Sequence, residues 1–195
     1  MKHLQRVLIS LVSFFLIIHP KGPKKRANLF RKFHLFGSIG ENCIIQGSKL
    51  PFDSNLIFLH DNVVIGPNVG FGTHDAIHIM LNNRKDADYN FVEKVGCIEV
   101  MDNVFIGSCT RILYNTRIGS NVIIGTCSVV TKDIPDNSVY AGVPARYVCS
   151  FDEYVERHKK YSEDFRKNYG IKEILKMDDK LAAQLYRDFK KKRDA

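Results

Sequence analysis

The sequence predicts a mainly β chain wound as a coil of six-residue repeats, with short helical segments at both ends. Three observations carry this. Aliphatic residues recur every six positions at Val100, Ile106, Ile112, Ile118, Ile124 and Val130. Two positions before five of them stand Val104, Thr110, Thr116, Val122 and Ser128, a spacing that puts both side chains on one face of a short strand. Glycine follows directly at Gly107, Gly119 and Gly125, read here as the residue that lets the chain turn a corner.

From the amino terminus, Val7 to Ile18 is an apolar run after Lys2 and Arg6. It is shorter than the roughly 20 residues of a spanning helix, and a basic flank (Lys21, Lys24, Lys25, Arg26) follows in place of a cleavage site, which opposes export. Two placements fit the run: a helix packed on the body, or one lying at the inner membrane surface. The expectation is a cytoplasmic protein, to which the second placement would add peripheral contact at that surface. The six-residue register already appears at Ile39 and Ile45, and at Leu59, Ile65 and Phe71 with Val63 and Val69. Helical periodicity does not fit these stretches, and sandwich turns recur every 8–12 residues or so without a lock to six.

Between Phe71 and Val100 the spacing is 29, not a multiple of six. A segment is therefore extruded, His74 to Gly96, mixing Asn82, Asn83, Arg84, Lys85 and Asp86 with Met80, Leu81, Tyr89 and Phe91. Irregular polar insertions on rigid scaffolds are where binding groups are usually placed. The domain reading is a helical segment over 1–36, the coil over 37–148 with its loop at 74–96, and a charged helical extension over 149–195. In that extension Ile174, Leu175, Leu181, Leu185 and Phe189 form a helical apolar stripe, suited to capping the last coil or to meeting another subunit.

A 195-residue chain with 45% hydrophobic content supports one ordinary core. Five scattered cysteines without a CxxC pair read as thiols of a reducing compartment. The net charge of +8 is concentrated at the two ends. No helix-turn-helix pattern and no aromatic–basic interleaving accompanies it, so no nucleic-acid partner is expected.

These residues carry a resemblance. NVFIGSC from Asn103, NVIIGT from Asn121 and SVVTKDIPDNSVYAGVPAR from Ser128 resemble the hexapeptide acyltransferases, closest to the galactoside- and maltose-type sugar O-acetyltransferases. The resemblance spans about Ile39 to Val148. It implies a left-handed β-helix of triangular section with three hexapeptides per coil, assembled as a homotrimer with sites between subunits. It also implies acetyl-CoA as co-substrate and no metal.

Residue by residue, the segment from Pro67 to His74 (PNVGFGTH) places His74 at the family's catalytic histidine. A hydroxyl acceptor needs a base to take its proton as it attacks a thioester. Ser108 matches the residue whose backbone amide faces the thioester carbonyl. Gly125, Thr126, Thr131, Lys132 and Arg146 match contacts to coenzyme A, the two cations suiting its phosphates. Asp75, His78, Asn82, Asn83 and Arg84 are candidates for acceptor binding, and Asp75 and Glu99 for orienting His74. The chain departs from common family residues at Phe105 (Trp), Thr126 (Ala) and Cys149 (a basic residue).

The expected function is transfer of an acetyl group from acetyl-CoA to a hydroxyl of a sugar or surface-polysaccharide precursor, directly and without a covalent intermediate. Serine or amino-sugar acetylation shares the repeat. A zinc hydratase on the same coil needs three histidines, and the repeats from Val100 to Val130 hold none. A non-catalytic binding coil would not need His74, Lys132 and Arg146 at matching places.

Overall fold

The computed structural model describes residues 22–47, 50–86, 88–170 and 177–194. The apolar run at Val7 to Ile18, and Ile174 and Leu175 of the C-terminal stripe, lie outside these residues. One compact unit runs as far as Phe151, and a second takes Asp152 onward.

Helix α1 (Pro23–Lys32) opens the described chain, with proline in its first turn, where the missing N–H costs nothing. It buries Ala27 and Phe30 against the first coil. Arg26 is buried too, and its Nη1 donates to Ile45 O (2.9 Å) and Gln46 O (2.8 Å). Backbone carbonyls at the open end of the coil are thereby satisfied, as the terminus of a solenoid requires.

Strands β1 (Ser38–Ile39), β2 (Ile44–Ile45), β3 (Ile57–Leu59), β4 (Val63–Ile65) and β5 (Gly70–Gly72) form the first two coils. Strands β6 (Ile98–Val100), β7 (Val104–Ile106), β8 (Arg111–Leu113), β9 (Thr116–Ile118), β10 (Val122–Ile124) and β11 (Val129–Val130) follow. They stack into three parallel faces. The first is β1-β3-β6-β9, the second is β2-β4-β7-β10 and the third is β5-β8-β11. Strand β12 (Ser138–Ala141) adds to the second face in parallel, and β13 (Arg146–Ser150) closes it antiparallel. Consecutive coils pair Val100 with Ile118, Ile106 with Ile124 and Ile112 with Val130, eighteen residues apart each time. Three hexads make one turn, and the six-residue pattern is the core itself.

The aliphatic columns point inward and are almost fully buried: Leu59, Val100 and Ile118 on one face, Ile65, Ile106 and Ile124 on the next. Each such side chain contributes about 1.5–3 kcal/mol by leaving water. The smaller inward residues carry polar atoms. Thr110 Oγ1 and Ser128 Oγ both donate to Gly125 O, at 3.1 and 2.7 Å.

The corners differ from the sequence expectation. Left-handed backbone falls on asparagine and cysteine: Asn62, Asn103, Asn121 and Asn137 at one corner, Asn68, Cys109 and Cys127 at the next. Asparagine tolerates this conformation. The first of these columns adds an amide ladder, Asn62 to Asn103 to Asn121 to Asn137, at 2.9, 3.0 and 2.9 Å. Gly107 instead serves close packing, since a Cβ there would lie 2.5 Å from Thr126 N of the next coil.

Two places break the repeat. In the first coil the third side is irregular, and Ile45 pairs with Ile65 twenty residues on instead of eighteen; a short 3-10 turn, Ser54–Leu56, lies there. In the second coil the chain leaves after β5 and returns at β6. The neck of this excursion is closed by Gly96 N donating to Thr73 O (2.9 Å), Asp75 N donating to Lys94 O (3.1 Å) and a bridge of His74 to Val95. It carries a six-residue helix, α2 (Ile77–Asn82).

The second unit holds most of α3 (Phe151–Tyr169) and all of α4 (Asp179–Lys191). Asp178 caps α4 by accepting from Leu181 N at 2.7 Å, and Tyr169 donates to Asp188 at 2.9 Å. Of the anticipated stripe, Leu181 is buried and Phe189 exposed. Among the described residues no helix is long and apolar enough to cross a membrane.

Candidate active site

His74 stands two residues past β5, where the second coil opens into the excursion. The irregular third side of the first coil passes beside it and brings Asp53, whose Oδ2 lies 3.0 Å from His74 Nδ1. Thr73 Oγ1 is 3.4 Å from the same nitrogen and is buried. The Phe52 ring meets the imidazole edge-on, with centroids 6.5 Å apart. A carboxylate at Nδ1 favours the tautomer with its proton there, which leaves Nε2 as the basic atom. The dyad is open to solvent, with side-chain exposures of 32% for His74 and 48% for Asp53.

Asp53 is a candidate site residue that the sequence reading missed. Its signal was available, because Ile45 to Leu59 is fourteen residues, a break in the six-residue count like the one that marked His74. The two residues suggested as orienters are engaged elsewhere. Asp75 accepts from Tyr114 Oη at 2.8 Å and from Ile77 N at 3.1 Å. The phenol holds the Asp75 carboxyl below its usual range, and the carboxylate pushes the Tyr114 hydroxyl up. Glu99 pairs with Arg117 Nε (2.7 Å) and His60 Nε2 (3.1 Å) on the first face, and both partners hold its carboxyl low.

The excursion divides its polar residues between bracing and exposure. Asn82 Nδ2 donates to Phe91 O and Asn82 Oδ1 accepts from Phe91 N, at 2.9 and 2.8 Å, so the amide clamps the loop. Asp75 ties the root of the loop to Tyr114 of the next coil. Asp75 and Asn82, two of the acceptor-binding candidates, thus both brace the loop. Arg84 forms an exposed pair with Asp86, its Nε donating at 3.0 Å, and Asn83 is exposed. His78 has a shielded Nδ1 with no partner among the described residues. Ile77, Ile79, Met80, Tyr89, Val92 and Phe52 are all exposed around this loop.

Ser108 and Thr126 occupy equivalent corners of the third and fourth coils, between the second and third faces. Cys127 N donates to Ser108 O at 2.9 Å, whereas the Ser108 amide has no acceptor among the described residues. It is a free donor on a rigid corner, the arrangement that can hold developing negative charge. Gly125 precedes Thr126 at its corner, and Thr131 and Lys132 are exposed just after β11. Arg146 begins β13, exposed, with Nη1 donating to Ala145 O at 3.0 Å. Among the described residues no three or more His, Cys, Asp or Glu side chains gather in a way that could hold a metal ion.

Within one chain His74 and Ser108 lie at opposite ends of the third face. Gly72 pairs with Leu113 and Gly70 with Arg111, so His74 sits past one end of the paired segment and Ser108 before the other. By register, position 74 lies level with position 115, seven residues from Ser108, a separation of roughly 20 Å at about 3.3 Å per residue once the corners shorten the path. A base and an oxyanion donor so far apart cannot both act on one acetyl group.

Comparison with known proteins gives consistent results. A family profile described as bacterial transferase hexapeptide (six repeats) matches residues 98–132. Galactoside O-acetyltransferase of Escherichia coli is 33% identical over 170 residues, covering 76% of this chain and 78% of that enzyme. Among solved structures, a galactoside acetyltransferase in complex with coenzyme A superposes with a TM-score of 0.59 at 27% identity, covering 78% and 83% of the two chains. A hexapeptide-repeat acetyltransferase of Vibrio cholerae gives 0.60 at 21% identity, covering 76% and 92%, a likeness of fold. The expected left-handed parallel β-helix is the fold observed.

Proposed function

This chain belongs to the hexapeptide-repeat acetyltransferases, and on that premise we propose that it moves an acetyl group from acetyl-CoA to a sugar hydroxyl with His74 as general base. The observation that carries the mechanism is the Asp53 carboxylate 3.0 Å from His74 Nδ1, which leaves Nε2 to take the acceptor proton as the hydroxyl attacks the thioester. The imidazolium formed is stabilised by Asp53 and returns its proton to the departing thiolate. The Ser108 amide holds the oxyanion of the tetrahedral intermediate. Lys132 and Arg146, exposed on the last coil, suit the phosphates of coenzyme A, and Gly125 and Thr126 line the path of its pantetheine arm.

His74 and the Ser108 corner belong to different ends of one face, so the complete site joins His74 of one subunit to the Ser108 corner of another. Exposed apolar residues of the excursion, such as Met80 and Val92, fit a surface covered in that assembly. A homotrimer closes this arrangement cyclically. The sugar acceptor rests on the galactoside acetyltransferase relatives and on the open, polar rim of Asn83 and Arg84. Surface-polysaccharide precursors fall in the same hydroxyl-bearing class.

The test is thiol release from acetyl-CoA over a panel of galactosides, nucleotide-sugars and serine. His74→Ala should abolish release while leaving acetyl-CoA binding intact; a variant that keeps most of its turnover refutes the base. Mixing inactive His74→Ala chains with chains inactivated at Ser108 should restore part of the activity, because one mixed interface carries both intact halves. No recovery on subunit exchange refutes the shared site.

A further inference from the structure

Cys109 and Cys127 are both exposed and both hold left-handed backbone, at φ of 62° and 58°. That conformation costs a residue other than glycine, asparagine or aspartate about 1–2 kcal/mol. The neighbouring corner meets the same demand with asparagines that recover energy through their ladder. The cysteines take the strain twice, one above the other, with no such bond, and uncommon backbone of this kind clusters at functional positions.

Register fixes how the two thiols face each other. Val104 pairs with Val122 before the corner and Arg111 with Val129 after it, so Cys109 lies directly over Cys127. Parallel strands are about 4.8 Å apart, within the roughly 4.4–6.8 Å that Cα atoms of a disulfide require. Side chains from equivalent left-handed corners do reach each other across coils: Asn103 and Asn121 meet at 3.0 Å. The other cysteines differ. Cys43 and Cys149 are buried, burial pushing the Cys43 thiol up, and exposed Cys97 has Asn115 in the corresponding place on the next coil.

We propose that Cys109 and Cys127 are a thiol-pair oxidation site, closed reversibly into a disulfide between successive coils by a small-molecule disulfide. One thiolate attacks the external disulfide, whose S–S bond breaks and releases the first small thiol as a mixed disulfide forms. The second cysteine thiolate attacks the protein sulfur of that mixed disulfide and expels the second small thiol. Two protein thiols are oxidised, one external disulfide is reduced to two thiols, and the cysteine protons pass to the leaving thiolates. Parallel Cβ atoms about 4.8 Å apart must draw together to roughly 3.5–4.5 Å. Closure therefore pulls on the corners that carry Ser108 and Thr126. Its effect on the enzyme rests on the donor path proposed above.

The experiment uses reduced full-length protein carrying Cys97→Ser, exposed to oxidised glutathione. Expected are the loss of two titratable thiols, an intact mass lower by two hydrogens, a proteolytic cross-link of Cys109 to Cys127, and reversal by dithiothreitol. Adding Cys127→Ser should trap a stable glutathione adduct on Cys109. Stable adducts on both Cys109 and Cys127 of the unsubstituted pair, with no cross-link, overturn the proposal. Acetyl-CoA affinity of the oxidised form should fall about tenfold or more, as ångström-scale misplacement of positioning groups does. Unchanged affinity in fully cross-linked protein overturns the coupling to the donor path, while the cross-link itself is scored by mass alone.

Discussion

Ser108→Pro deletes the amide hydrogen at the corner between β7 and β8 and little else. The corner one coil earlier shows why: its equivalent residue is Pro67, also preceded by glycine and followed by a left-handed residue, Asn68. The backbone there already accommodates a pyrrolidine ring. Gly66 packs against this amide, a Cβ there falling 2.8 Å from Ser108 N, so the ring at position 108 depends on glycine at position 66 for its room. The lost donor is the one assigned to the oxyanion. Removing one such donor costs about 2.7–4 kcal/mol, a factor of roughly 100–1,000 in kcat.

The assay is thiol release from acetyl-CoA with saturating galactoside, together with a thermal melt to confirm the fold. Ser108→Ala keeps the amide and should stay within about twofold of the parent. A proline variant that melts like the parent and retains more than about a third of its kcat would refute the oxyanion role.

Three further outcomes are expected. Asp53→Asn keeps a side chain that tolerates the left-handed backbone at position 53 (φ 48°) but removes the charge beside His74. A bond to a charged group is worth about 1.5–3 kcal/mol; discounted for the exposure of this pair, kcat should fall roughly five- to thirtyfold with little change in KM for acetyl-CoA, and an effect on KM alone would sink the orienting role. Cys109→Asn and Cys127→Asn should each raise stability by about 0.5–1 kcal/mol in denaturant titrations, because asparagine relieves the left-handed strain; a lower midpoint would show that the cysteines pack better than their backbone suggests. Glu99 is held low by Arg117 and His60, so its contribution to stability is present above the ordinary carboxyl value of about 4.3 and is lost as pH falls through the lower folded value. Glu99→Gln should therefore flatten the stability profile in that acid window, as read from urea midpoints, and an unaltered slope would remove the pair from the account.

The core was legible because an inward column has a strict period. Val100, Ile106, Ile112 and Ile118 each occupy a fully buried place, and no other period produces that list. The corners were less legible. Glycine reads as a turn residue, yet Gly107 is small because Thr126 packs against it, while Asn103 and Cys109 carry the unusual torsions. Torsion belongs to the local chain but packing belongs to the neighbouring coil, eighteen residues away, which a local reading does not sample. The excursion announced itself by length. Its internal bonds, such as Asn82 to Phe91, depend on how the loop folds back and leave no trace in spacing.

The placement of the dyad follows from the same regularity. In an unbroken solenoid each outward side chain sits in a column whose neighbours lie one strand spacing away, as Glu99 and Arg117 do. Such a column pairs groups along the axis and holds them there. A base needs release from that ladder, with one ring nitrogen fixed and the other facing open space. Two breaks in register provide this because they fall on successive coils: the irregular third side of the first carries Asp53, and the exit from the second carries His74. Stacking then brings residues twenty-one positions apart to 3.0 Å. Either break alone would leave the imidazole without its carboxylate, or the carboxylate without an imidazole. The pairing of the breaks, more than the presence of a histidine, is what supports the proposal that this corner is where the coil does chemistry.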